Sequence, residues 1–334
     1  MFSEKYSLWK KDQYSYPVMG SFIPNMVSYI HDEDNKVRPA VIVVPGGGYA
    51  MVSPTEGEIV ALEFYNKGYN TFVVTYTTNL LMTEPLRLQP LRDLSKAVMV
   101  VRKKHEEFHV ALDKIAICGF SAGGHLCGSL AVHHGIKELL IDGEYEGISN
   151  CPNAVILSYP VISTGEQAHR ESFIALLGKD ATKEELEFMS LDKQVKKDTP
   201  PVFLWHTATD ELVPVENNYL FAEACKAQKV NFEQHIFGNG RHGLSLANKD
   251  WATNNFGGQY TLEQFLDTLE FLVNNKVELP PPFNMAGQLP EGVNIRDAIL
   301  QGMSEFAPES QPDEGIAVWP ILAHNWLKKV LNID

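Results

Sequence analysis

The chain has 334 residues, 44% of them hydrophobic, and its 42 acidic against 28 basic side chains give a formal net charge of −14. That length and apolar content suffice for a large buried core, while the negative charge and the absence of a cluster of Lys and Arg speak against a nucleic acid partner. No window approaches the roughly 18 apolar residues of a membrane span, and the N-terminal MFSEKYSLWKKDQYSY has no apolar signal core, so a cytoplasmic protein without a membrane partner is expected.

In chain order, the apolar runs 40–44, 71–76, 115–118, 154–159 and 202–206 each stop at turn residues, as strands buried on both faces do. Helical patterns alternate with them: 56–67, then Leu91, Leu94, Ala97, Val98 and Val101 at three- and four-residue steps, then 122–134 and 216–226. Residues 231–237 read as a further strand. The alternation predicts the α/β class, a mostly parallel central sheet with helices on both faces. Beyond Leu246 an Asn/Gly-rich turn leads to a helical stretch at 261–275, the loop-like ELPPPFNMAGQLPEG, a second helix candidate NIRDAILQGMSEF and a terminal helix. We expect a single domain over 1–334 with a helical insertion at 251–312. The insertion suits a packed hairpin, a wall over the active site, or a subunit contact in a homo-oligomer. Cys118, Cys127, Cys151 and Cys225 show no paired or metal-finger spacing and read as reduced structural thiols.

At the end of the first strand, VIVVPGGGYA joins four aliphatic residues to three glycines. A backbone without Cβ brings its amides close to an anion, which suits a phosphate cradle or a hole for an oxyanion. A phosphate loop needs Lys-Ser or Lys-Thr after its glycines. A dinucleotide fingerprint needs a glycine where Met51 stands, so both phosphate readings fail. Downstream, IAICGFSAGGHLCGSL sets Gly119, Phe120, Ser121, Ala122 and Gly123 between a strand and a helix. This is a nucleophile elbow, whose serine occupies so sharp a turn that its neighbours two residues away must be small.

A serine hydroxyl is a weak nucleophile at neutral pH, so Ser121 requires a base and the base an orienter. In such a fold they follow in the order serine, acid, histidine. The loop after strand 202–206 supplies Asp210, with Glu211 as the competing acid, and FGNGRHGLSLA supplies His242 as the base. His105, His109, His133, His134 and His169 read as solvated, while His125 and His206 read as packing or hydrogen-bonding near the site. No HExxH or clustered carboxylate pattern is present, and neither a metal nor an organic cofactor is expected.

Together, PGGGY, GFSAGGHL, HTATDELVP, GRHGLSLA and the terminal VWPILAHNWLKK resemble the bacterial acetylesterase and acetylxylan esterase group, the feruloyl esterase-like branch of the α/β-hydrolases, over roughly residues 38–250 and 316–331. The resemblance implies the α/β-hydrolase fold, with Ser121 as nucleophile, Asp210 as acid, His242 as base, and the amides of Gly47, Gly48 and Ala122 as the oxyanion hole. Two positions depart from the pattern: Pro45 stands where the wider superfamily has His, and Thr77 where many relatives have Arg. The implied activity is removal of acetyl groups from a neutral sugar or oligosaccharide, here short imported fragments. Tyr49, Trp205 and Trp251 lie beside the motifs and are candidates for stacking on sugar rings. An amidase, peptidase or feruloyl esterase on the same scaffold, and an inactive hydrolase fold used as a binding module, are the alternatives.

Overall fold

A computed structural model describes residues 1–140, 143–277, 293–305 and 310–333. Eight strands form one sheet: β1 (Lys5–Ser7), β2 (Asn25–Tyr29), β3 (Arg38–Val44), β4 (Asn70–Thr75), β5 (Val110–Phe120), β6 (Ala154–Ser158), β7 (Val202–Thr207) and β8 (Phe232–Phe237). Their spatial order is β1-β2-β4-β3-β5-β6-β7-β8. From β4 across to β8 all neighbours pair in parallel, whereas β2 runs antiparallel to both β1 and β4. Every expected strand is present; β1 and β2 were not anticipated.

The sheet is buried because its strands carry apolar residues on both faces. Along β3, Ala40, Ile42 and Val44 join the core on one side, while Val41 and Val43 join the core on the other, the two-residue alternation of a pleated strand. Helix α1 (Glu58–Tyr65) packs on the second face with α10 (Trp319–Val330), where Phe64 meets Trp319. Helix α2 (Gln89–Lys103) lays Leu91, Leu94, Ala97, Val98 and Val101 on the first face beside α3 (Ser121–His133) and α6 (Glu216–Gln228). Two short helices, α4 (Arg170–Leu177) and α5 (Lys183–Phe188), lie between β6 and β7 and add Phe173, Leu176 and Leu177 to that core.

The late segment is helical, as its pattern predicts. After α7 (Lys249–Ala252) come α8 (Glu263–Asn274) and α9 (Ile295–Glu305), which bury Phe265, Leu266, Leu269 and Ile299 in a small core of their own. Arg296 ties the two together through Asp267 and Glu270. The loop-like stretch 278–292 lies outside the described residues. Among the described residues no helix is long and apolar enough to cross a membrane. Parallel strands gather their carboxyl-end loops at one edge of the sheet, the position where α/β folds bind ligands, and the glycine loop after β3, the elbow after β5 and the loops after β7 and β8 all fall there.

Candidate active site

Ser121 is the first residue of α3 and holds φ at 51°, a strained value for a side chain. The glycines around it make the turn feasible. A Cβ on Gly119 would lie 2.2 Å from the Gly123 carbonyl oxygen, and one on Gly123 would lie 2.2 Å from the Val44 oxygen and 2.4 Å from the Pro45 oxygen. Alanine at either position has no room unless backbone moves.

The structure brings Ser121, His242 and Asp210 into one hydrogen-bonded line. His242 Nε2 lies 2.8 Å from Ser121 Oγ, and its Nδ1 lies 2.7 Å from Asp210 Oδ2. Asp210 Oδ1 accepts the amides of Leu212 and Val213 at 3.0 and 2.9 Å. Behind the carboxylate, the fully buried His206 donates from Nε2 to the Val213 carbonyl at 2.9 Å and stands 3.2 Å from Asp210 Oδ2. Burial alone would raise the Asp210 pKa, but hydrogen bonds from His206 and His242 outweigh it and hold the carboxyl well below the usual range. Glu211, the competing acid, is exposed.

Beside Ser121, Gly47 and Gly48 both adopt positive φ, at 119° and 64°, and among the described residues neither amide meets an acceptor. Helix α3 has no side-chain cap, which leaves the amides of its first turn, that of Ala122 included, without the usual partner. Gly46 is different. Its amide donates to Glu56 Oε2 at 2.7 Å, and Tyr159 donates its hydroxyl to Glu56 Oε1 at 2.7 Å. Tyr159 in turn accepts the Ser245 amide at 2.9 Å and presents its ring to His242, centroids 5.0 Å apart and planes at 70°. Glu56 therefore joins the glycine loop, the end of β6 and the histidine loop. Burial raises its pKa, opposed by Tyr159, the Gly46 amide and the His242 charge. Both carboxyl oxygens accept, which is the pattern of an ionised group.

These residues open on a cavity of about 650 Å³, with Gly47, Gly48, Ser121 and His242 on one part of its lining and Trp251, Phe256, Leu262, Leu300 and Met303 on another. The late helices thus wall the cavity. Two stacking candidates are corrected here: Tyr49 and Trp205 are core residues outside this lining, 1% and 0% exposed, bonded to His125 Nδ1 and Ser158 Oγ. Adjacency to a motif in sequence places a side chain on either face of a strand end, and these two turn inward. Trp251 does line the cavity, with the Arg241 guanidinium 5.1 Å above its ring.

Two histidines expected in solvent also differ. His133 is buried, stacked on Phe188 and donating to its carbonyl, and His169 lines the cavity with Nδ1 2.8 Å from Ser172 Oγ. His125 packs as expected, donating to the Met189 carbonyl, and burial pushes its pKa down to about 4. Glu56, Tyr159 and Arg241 were not foreseen. A glutamate at the start of a helix reads as an ordinary solvated residue stabilised by the helix dipole, and only the fold reveals that this one is buried. Among the described residues, no three His, Cys, Asp or Glu side chains group to hold a metal ion.

Comparison with known proteins bears on this geometry. The BD-FAE family profile matches residues 27–225, more than half of the chain. The chain belongs to the BD-FAE family. This BD-FAE chain is 48% identical over 259 residues to endo-1,4-beta-xylanase B of Butyrivibrio fibrisolvens, covering 77% of the chain and 40% of that protein. It is 32% identical over 219 residues to an acetylxylan esterase of Xylanibacter ruminicola, covering 64% and 42% respectively. The chain thus spans about two fifths of the length of the curated relatives it matches. Among solved structures, an acetyl ester-xyloside bifunctional hydrolase from Caldicellulosiruptor lactoaceticus aligns with a TM-score of 0.68 at 36% identity, over 78% of this chain and 96% of that one. Like its structural neighbours, this BD-FAE chain has the α/β-hydrolase fold. The profile ends at Cys225, ahead of His242 and of the helices that wall the cavity.

Proposed function

We propose that this chain is a serine carboxylesterase that removes small acyl groups, acetyl foremost, from carbohydrate esters such as acetylated xylo-oligosaccharides. The observation that carries this reading is the line Ser121–His242–Asp210, open to a cavity beside two unengaged glycine amides. His242 takes the proton of Ser121 as Oγ attacks the ester carbonyl, and Asp210 fixes the tautomer that presents a free Nε2. The amides of Gly47, Gly48 and Ala122 receive the oxyanion. As the acyl C–O bond breaks, His242 passes the proton to the departing sugar oxygen, and water repeats the sequence on the acyl-enzyme.

The acyl and alcohol halves draw support from two similar proteins, one named an acetylxylan esterase and the other an acetyl ester-xyloside bifunctional hydrolase. A cavity of about 650 Å³ exceeds the needs of an acetyl group and leaves space for sugar rings against Trp251. An acyl subsite fitted to a methyl group gains only about 0.8 kcal/mol per added CH₂ and loses more to clash. Across p-nitrophenyl acetate, butyrate and octanoate, kcat/KM should therefore fall steeply, and acetylated xylo-oligosaccharides should release acetate. Trp251 and Phe256 also suit an aromatic acid. Faster hydrolysis of a feruloyl ester or of octanoate than of acetate overturns the acetyl preference and leaves the serine hydrolase standing.

A further inference from the structure

A second, polar cavity of about 590 Å³ lies between the N-terminal segment, α2 and the turn at 143–145, lined by Trp9, Lys10, Arg92, Lys96, Glu144 and Tyr145 among others. Lys96 is only 4% exposed, and among the described residues no hydrogen bond or ion pair engages its ammonium. It stands 3.3 Å from the centre of the Tyr145 ring and 5.4 Å from that of Trp9. Ring faces attract the charge but accept no conventional hydrogen bond, so the N–H donors stay available to a ligand in the cavity. Burial pushes the Lys96 pKa down to about 8.

The neighbours do not supply the missing acceptor. Arg92, one turn earlier on α2, has its guanidinium 5.4 Å from the Trp9 ring and no ion pair among the described residues, and Lys10 has none either. Glu144 is the one carboxylate among the described lining residues, and it pairs with Lys103 at 3.0 Å. Asp93, next to Arg92, is filled by hydrogen bonds from Trp9, Gln89 and Thr77 and does not line the cavity. The chain has 14 more acidic than basic residues, so cations without acidic partners here do not reflect a shortage of carboxylates.

We propose that this cavity binds a small dianion through its phosphate group, with Lys96, Arg92 and Lys10 as the ligands. With Glu144 paired to Lys103, the three cations among the described lining residues carry positive charge that a phosphate monoester or inorganic phosphate, close to a dianion near neutral pH, can balance. Arg92 offers the planar fork that suits phosphate oxygens and Lys96 a point charge whose donors are unclaimed.

Calorimetric titration of the full chain with inorganic phosphate, xylose 5-phosphate and acetate tests this. Saturable binding of a phosphate compound is expected, weakened about ten-fold or more in Lys96→Met and in Arg92→Gln, with turnover of p-nitrophenyl acetate retained in both. Tighter binding of the sugar phosphate than of phosphate identifies a monoester as occupant, and equal binding identifies the free ion. No saturable phosphate binding, acetate bound as well as phosphate, or variants that bind like the wild type would each overturn the proposal. Should Lys96→Met not fold, the half-buried Arg92 carries the comparison.

Discussion

Ser121→Ala and His242→Ala are each expected to lower kcat on p-nitrophenyl acetate by about 10³-fold or more, and the double variant by no more than either single one. The members of a nucleophile–base pair act as a unit: without the Ser121 oxygen, the 2.8 Å contact to His242 Nε2 has nothing to activate, and without His242 the hydroxyl keeps its proton. Whatever rate survives comes from the glycine amides and from binding, and that remainder is common to all three variants. Asp210→Asn should cost comparably, because the amide can place an NH₂ against His242 Nδ1 and favour the wrong tautomer. Glu211→Gln should leave kcat near wild type, since that side chain faces solvent. A larger loss in Glu211→Gln than in Asp210→Asn would reassign the orienter. Additive losses in the double variant would show that the two do not act as a unit, and wild-type turnover in Ser121→Ala would remove Ser121 from the mechanism.

Glu56→Gln should lower kcat by about 10²-fold with KM little changed, the scale of a misplaced oxyanion donor. The carboxylate accepts from the Gly46 amide on one oxygen and from Tyr159 on the other. Glutamine has one accepting atom. Turned one way, it sets NH₂ against the Gly46 N–H; turned the other, it donates to a Tyr159 hydroxyl that already accepts from Ser245, and the tyrosine proton loses its partner. The first orientation loosens the glycine loop next to Ser121, whose Cβ lies 2.9 Å from where a Gly46 Cβ would stand, and the second loosens the Tyr159 ring that packs against His242. A loss carried by KM instead of kcat reduces Glu56 to a strut, and an unchanged kcat shows that it positions nothing.

The parts of the fold legible in the sequence are those where one local pattern has one physical meaning. Runs such as VIVV and VFLWH, short, rich in β-branched and aromatic residues and bounded by turn signals, read as strands buried on both faces, and G-x-S-x-G between a strand and a helix has a steric basis that the Gly119 and Gly123 contacts display. The antiparallel β1 and β2 escaped because KYS and NMVSY are short and half polar, which leaves no periodicity to read. The short α4 and α5 were hidden in the same way. In the candidate site, motif order named the three residues that the structure sets in one hydrogen-bonded line, Ser121, Asp210 and His242, whereas Glu56 and Tyr159 carried no such signal. Their contact spans 103 residues and depends on which loops the sheet order brings together. Tyr49 and Trp205 were misjudged for the converse reason, since neighbours in sequence need not share a face.

The span between Ser121 and His242 has a consequence for when the chain becomes reactive. They are 121 residues apart, and the elbow depends on β3 and β5, central strands made early, while His242 follows β8, an edge strand half-buried along its length. Domains fold as units, and on the proposed mechanism a chain in which β8 has not joined the sheet holds Ser121 without its base. Making the elbow does not arm the hydroxyl; docking of the edge strand does.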